Sequence, residues 1–252
     1  MARLVTLITG ASAGLGAEFA RQCARRGEAL VLVARRRDRL ESLAAEVGGD
    51  VHVVAADLAL PDAAASLIGQ IEAEGLGIAT LINNAGFGGG GRFHAQALER
   101  QREMIDLNVR TLTELTHLAL APMLERGGGA ILNVASTAAF QPGPGSAVYF
   151  ATKAYVLSFT EALHQELKGS GIRVSALCPG PTATEFGVAA GYKGPQLKRF
   201  KADARGVVEA GLKGLDANKA VVIPGLANKA GAQMHRLLPR GTIRRMVARL
   251  RF

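Results

Sequence analysis

The sequence predicts an α/β fold built around a parallel β-sheet, and three observations carry that reading. Short apolar runs rich in β-branched residues alternate with longer stretches of helical periodicity. The first run enters a glycine-rich turn directly, and a helix follows. Small and polar motifs then recur at the carboxyl ends of the predicted strands, where open α/β sheets bind their ligands. At 252 residues the chain suits one large domain, and its 48% hydrophobic content with 31 glycines suits an α/β protein with many tight turns.

Arg3 to Thr9 reads as a buried strand, followed by Gly10-Ala-Ser-Ala-Gly14-Leu-Gly16 and a helix from Leu15 to Arg26. Strand, glycine turn and helix set backbone N–H groups and a helix N-terminus against a phosphate. The spacing is G-x-x-x-G-x-G, distinct from the better-known G-x-G-x-x-G. Glu28 to Ala34 is a second strand ending in Arg35-Arg36-Arg37. A fold that binds NAD places an acid near this point for the ribose 2′-hydroxyl, whereas Arg35 stands here and Asp38 already belongs to the next helix. A guanidinium pairs with a 2′-phosphate through charge-assisted bonds, so Arg35 points to NADP(H) rather than NAD(H). Arg37 is expected to stay in solvent.

Val51 to Ala55 is the third strand, with Asp57-Leu58 beyond it, and Pro61 to Glu74 is helical. Ala79 to Ile82 is the fourth strand, ending in Asn83-Asn84-Ala85-Gly86, and a glycine cluster spans Phe87 to Gly91. Glu99 to Glu125 forms a long amphipathic helix that contains Asn108 and stops at Gly127 to Gly129. Ala130 to Ala135 is the fifth strand and delivers Ser136; Ile172 to Leu177 is the sixth and ends in Cys178-Pro179-Gly180. This rhythm implies right-handed βαβ units.

Between the fifth and sixth strands lies a helix, Ser146 to Lys168, that carries Tyr149 and Lys153. Residues four apart share one helix face. A phenol has an ordinary pKa of roughly 10, and a neighbouring ammonium lowers it. Tyr149 thereby becomes a proton donor or acceptor near neutral pH, with the Ser136 hydroxyl available to hold the oxygen of a carbonyl or alcohol.

Taken together, T-G-A-S-A-G-L-G (9–16), D-L (57–58), N-N-A-G (83–86), Asn108, Ser136, Y-x-x-x-K (149–153) and P-G-P-T-A-T (179–184) resemble the short-chain dehydrogenase/reductase family of about 250 residues, from Val5 to Thr184. The resemblance implies a single doubly wound, Rossmann-type domain with a seven-stranded parallel sheet and hydride transfer between a nicotinamide and a carbonyl or secondary alcohol. It makes Tyr149 the acid/base, Lys153 the holder of the nicotinamide ribose, Ser136 the orienter of substrate oxygen, and Asn108 the support of a water that relays protons to Lys153. Gly10, Ser12, Gly14, Leu15 and Gly16 would line the pyrophosphate, and Asp57 and Leu58 the adenine. Asn84, Ala85 and Gly86 would shape the pocket, with Pro179, Gly180, Thr182 and Thr184 on the carboxamide or phosphate side. Dimers or tetramers, usual in that family, are expected through the helices at about 99–126 and 146–168.

The remaining sequence bears on specificity and on what is excluded. Residues 185–201 interrupt apolar and aromatic positions with glycines, as a lid that closes on substrate does. Phe87, Phe140, Gln141, Phe186 and Tyr192 are candidate pocket residues and favour a fairly apolar substrate; Lys193, Lys198, Arg199 and Lys201 are read as solvated lid charges. All 21 acidic residues lie at or before Asp216 together with 22 of the 30 Lys and Arg, so +8 of the net charge of +9 sits in the last 36 residues. That distribution gives no reason to expect nucleic-acid binding. We divide the chain into a catalytic domain, 1–227, and a basic extension, 228–252, in which Ile243, Met246, Val247 and Leu250 share a helix face opposite arginines. Packing on protein is expected of this helix first, and peripheral membrane contact through 241–252 second. Cys23 and Cys178 have no metal-ligand spacing, no metal is expected, and a reducing, cytoplasmic setting fits free thiols and an N-terminal apolar stretch too short for a signal peptide. A non-catalytic dinucleotide sensor would be expected to lack the Tyr, Lys or Ser, and all three are present. A scaffold at a membrane surface would work through the tail alone. An epimerase or dehydratase on a related fold would call for a longer chain with a substrate domain.

Overall fold

The computed structural model describes residues 2–189 and 202–249. Seven parallel strands form one sheet in the order β3-β2-β1-β4-β5-β6-β7: β1 (Arg3–Thr9), β2 (Leu30–Ala34), β3 (Val51–Ala55), β4 (Leu76–Asn83), β5 (Gly129–Val134), β6 (Ile172–Leu177) and β7 (Val221–Val222). The strands run as continuous apolar segments because both faces are covered. Side chains alternate between faces with period two. Leu7, Val31, Val33 and Ile131 pack with Leu67, Ile71, Leu115 and Met123 of helices α3 (Ala63–Ala73) and α5 (Leu112–Glu125). Their neighbours Ile8, Leu30, Leu32 and Leu132 pack with Phe19, Leu40 and Leu212 of α1 (Gly14–Arg25), α2 (Arg37–Val47) and α8 (Ala204–Asp216). Each fully buried Leu or Ile contributes roughly 2 kcal/mol of transfer free energy, so these two layers hold the sheet.

Strand order reverses between β1 and β4, which opens a crevice at their carboxyl ends. Across β4 and β5, Asn83 stands opposite Asn133. Asn83 Nδ2 donates to Asn133 Oδ1 at 2.9 Å and to Thr116 Oγ1 at 3.0 Å, and Asn133 Nδ2 donates to Thr160 Oγ1 at 3.0 Å. This buried chain ties both strands to α5 and to α6 (Ala147–Glu166), so the loops that follow the strands start from a fixed base.

Several boundaries differ from expectation, three of them for a clear local reason. β2 begins at Leu30, because the Glu28 N–H is still bonded back to Cys23 O at 3.2 Å in the turn that ends α1. β4 begins at Leu76, three residues early, because Gly77 sits inside the strand rather than ending it. The long helix is continuous only through a π-helical segment, Asp106–Thr111, between α4 (Leu98–Ile105) and α5.

After β7, α9 (Leu226–Leu237) places Ala232 among Val156, Leu157, Cys178 and Ile223. Helix α10 (Arg240–Arg249) buries Ile243 and Val247 in a cluster with Met104, Ala138, Tyr149 and Phe150. Its apolar stripe therefore lies on this chain's own domain, leaving Met246 and the arginines exposed. Leu250 and the last two residues lie outside the described residues. No helix among the described residues is long and apolar enough to cross a membrane.

Candidate active site

The glycine turn after β1 is locked against the loop after β4. A Cβ on Gly16 would stand 2.2 Å from Gly10 O and 2.6 Å from Asn84 Nδ2, so only glycine lets the first turn of α1 approach this closely. Asn84 Nδ2 donates to Thr9 O at 2.9 Å and Gly10 O at 3.2 Å, and the backbone N–H groups of Asn84 and Ala85 both donate to Thr9 Oγ1 at 3.0 Å. Asn84 and Ala85 thus brace the glycine turn from behind. Across the crevice, Thr184 packs its methyl side on Gly14. Thr184 follows the segment Pro179, Gly180, Thr182, where Thr182 Oγ1 donates to Gly180 O at 2.9 Å.

At the inner end, α6 presents Tyr149 and Lys153 one turn apart, both buried. Lys153 Nζ donates to Val134 O, the last carbonyl of β5, at 2.7 Å. Burial pushes the Lys153 ammonium down from 10.5 to about 8. A Cβ on Gly86 would lie 2.9 Å from Asn108 Oδ1 and 3.5 Å from Lys153 Nζ, so the absence of a side chain at 86 keeps open the space beside both. Asn108, on the π-helical segment, donates from Nδ2 to Phe87 O at 2.9 Å and Thr152 Oγ1 at 3.1 Å, and accepts from Phe87 N at 3.1 Å. Its side chain fixes the Gly86–Phe87 loop beside Lys153; π turns often occur where a helix serves a site. Ser136 Oγ accepts from Ala138 N at 3.1 Å and reaches Pro179 O at 3.4 Å. Its proton is therefore held only weakly and is free to turn to another acceptor.

Tyr149 lies in an apolar wall formed with Phe150, Phe87, Phe186 and the α10 residues Ile243 and Val247, its ring 5.5 Å from that of Phe186. Phe140 belongs instead with Val156, Leu157 and Ile223, Gln141 is half-buried beside it, and Tyr192 lies outside the described residues. Cys178 is fully buried, its thiol pushed up to about 12 by burial, which keeps it unreactive. His94 is exposed. The described residues include no cluster of His, Cys, Asp and Glu fit to hold a metal.

The outer end carries cations. Arg35 is 70% exposed, with Nη1 3.8 Å from Asp57 Oδ2. Arg36 Nη2 donates to Ser12 Oγ in the glycine turn at 3.1 Å. Arg39 and Glu185 join this group, and sequence reading missed both, as it missed Arg36's reach to Ser12. Their partners are far apart in the chain, and no spacing rule brings them together. Asp57 Oδ1 accepts from Ala59 N at 3.0 Å, while Leu58 buries its side chain and can offer a ligand only its backbone.

A glycine cradle on a βα turn, a buried lysine one turn from a tyrosine, and a serine at the end of the neighbouring strand define a dinucleotide oxidoreductase. A family model of short chain dehydrogenase matches residues 4–192, and the chain belongs to that family. It is 40% identical over 187 residues to sulfoacetaldehyde reductase 2 of Chromohalobacter salexigens, covering 72% of this chain and 74% of that one. It is 35% identical over 185 residues to the NADP-dependent 3-hydroxy acid dehydrogenase YdfG of Escherichia coli, covering 73% and 75%. Among solved structures, a short-chain dehydrogenase from Sphingobium yanoikuyae in complex with NADPH superimposes with a TM-score of 0.81 at 37% identity, over 93% of this chain and 95% of that one. The chain is thus an oxidoreductase of CH–OH groups and the corresponding carbonyls.

Proposed function

We propose that this protein uses NADP(H) to interconvert a small, fairly apolar ketone and its secondary alcohol. The observation that carries the proposal is the inner end of the cleft: a buried ammonium held by Val134 O beside the open space at Gly86, one helical turn from Tyr149. The residues present fit the cofactor. Gly10, Gly14 and Gly16 would accept its pyrophosphate, Lys153 its nicotinamide ribose, and the arginines after β2 its 2′-phosphate. Bound there, the nicotinamide supplies or takes up the hydride.

The chain's own residues do the rest. In reduction, Tyr149 gives its proton to the substrate oxygen as charge develops there. The Ser136 hydroxyl exchanges its weak bond to Pro179 O for that same oxygen and orients it. Lys153 carries a positive charge into a poorly solvated place, where it favours the phenolate left behind. Asn108 acts as a positioning residue for the Gly86–Phe87 loop and would support a water that relays protons to Lys153. Phe87, Phe150, Phe186, Ile243 and Val247 exclude water and offer apolar contact to the substituents of the carbonyl. A second reading, a small anionic substrate, has one observation in its favour: the Arg100 guanidinium lies 3.7 Å over the Phe87 ring, at the edge of this wall.

Equilibrium binding of NADPH and NADH by fluorescence, followed by a screen of NADPH consumption, tests the proposal. Tighter binding of NADPH and turnover of aryl or alkyl ketones are expected. Equal affinity for both cofactors would remove the NADP(H) assignment, and turnover confined to carbonyl compounds bearing a sulfonate or carboxylate would establish the second reading instead.

A further inference from the structure

Arginines after β2 meet the start of the 185–201 segment across the mouth of the cleft. Arg39 Nη1 donates to Glu185 Oε1 at 2.9 Å and Oε2 at 3.1 Å. Arg36 Nη1 lies 3.6 Å from Glu185 Oε2, while Arg36 Nη2 holds Ser12 of the glycine turn. The neighbouring arginines have other carboxylates: Arg37 pairs with Glu41 at 3.5 Å, and Arg35 faces Asp57 at 3.8 Å. Glu185 directly follows Thr184, which sits on Gly14. A carboxylate from the far side of the cleft therefore occupies a two-arginine fork linked directly to the phosphate turn.

We propose that Glu185 stands in for the cofactor's 2′-phosphate, filling the Arg36–Arg39 fork until NADP(H) displaces it, and so sets the ratio of NADP(H) to NAD(H) affinity. The inference rests on the NADP(H) reading above. A 2′-phosphate carries more charge than a carboxylate and offers three acceptor oxygens to the same donors, so it displaces Glu185. All three side chains are well exposed, and exposed ion pairs are weak and screened enough to exchange. Hydrogen bonding to Arg39 holds the Glu185 carboxyl below its usual range, so the competitor stays charged at every working pH. A cofactor with a 2′-hydroxyl brings no charge to the fork and leaves the pair in place.

Isothermal titration calorimetry on wild type and Glu185→Gln, at low ionic strength, tests this. The probes are adenosine 2′,5′-bisphosphate and adenosine 5′-monophosphate, with NADPH and NADH as the full cofactors. Because exposed ion pairs are weak, Glu185→Gln should tighten the bisphosphate and NADPH by about two- to fivefold, leaving the monophosphate and NADH unchanged. Glu41→Gln removes the same charge from the neighbouring pair and should change nothing. The inference is overturned if Glu185→Gln shifts all four ligands alike, shifts none, or weakens the 2′-phosphate ligands, or if Glu41→Gln gives the same gain. Wild type that fails to distinguish bisphosphate from monophosphate would overturn the NADP(H) reading, and this inference with it.

Discussion

Lys153 and Arg36 are both cations of the one cleft, and they are held in opposite ways. Lys153 is only 5% exposed, fixed by a carbonyl at 2.7 Å, and its proton affinity is lowered by burial. Arg36 has a side chain 44% exposed and is shared between the Ser12 hydroxyl and the Glu185 carboxylate, itself 59% exposed. Burial strengthens an electrostatic effect and freezes it; exposure weakens a pair and lets its partners change. On the proposed function, the inner end would act on a proton, and the outer end would recognise a group and release it.

The largest effect should come from the proton itself. Tyr149→Phe keeps the ring in its apolar wall and removes only the hydroxyl, so kcat should fall by roughly 10²–10⁴, with NADPH affinity little changed. Loss of less than tenfold in steady-state assays would move the acid/base role to another group and erase the contrast between the two ends.

Next comes the stability of the buried cation. The Lys153 pKa falls from 10.5 to about 8 on folding, so between those values the unfolded chain binds more protons than the folded one. Its destabilising effect is full below pH about 8 and fades as pH rises towards 10. Replacing it by Met removes a penalty of about 3 kcal/mol and leaves Val134 O without a donor, which offsets about 1–2 kcal/mol. Lys153→Met should therefore be more stable than wild type by about 1–2 kcal/mol at pH 7 in urea unfolding, while losing activity. The gap should narrow and then reverse in sign near pH 10. A variant less stable at pH 7 would mean that the ammonium is stabilised where it lies, and burial would no longer set Lys153 apart from Arg36.

The inner end was legible in the sequence because helical spacing and strand ends place Tyr149, Lys153 and Ser136 without further information. The glycine turn was legible for the same local reason. The π segment around Asn108 was not, since its residues read as an unbroken amphipathic helix. The start of β4 was not, since the expected strand opened only at Ala79 while Leu76 and Gly77 already lie in it. The outer end was half legible: a run of three arginines announces a phosphate, yet which of them reaches the glycine turn depends on backbone direction where β2 ends. Glu185 was illegible, being 146 residues from Arg39 in the chain. The tail helix announced an apolar stripe without saying what covers it, and Ile243 and Val247 are in fact buried beside Tyr149.

The smallest and sharpest test lies among those arginines. Arg35 is the arginine at the strand end where a 2′-phosphate is expected, yet Arg36 is the one bonded to Ser12, and Arg35 is 70% exposed with a loose carboxylate partner. If the 2′-phosphate enters the fork that Glu185 fills, Arg36→Ala should weaken NADPH binding by about tenfold, the loss expected for one charge-assisted contact. Arg35→Ala should weaken it only about twofold, as an exposed charge near the phosphate does. NADH affinity should be unmoved in both. The reverse order would mean that Arg35 leaves Asp57 and closes over the phosphate. Cofactor choice would then be made at the end of β2 alone, without the carboxylate from across the cleft.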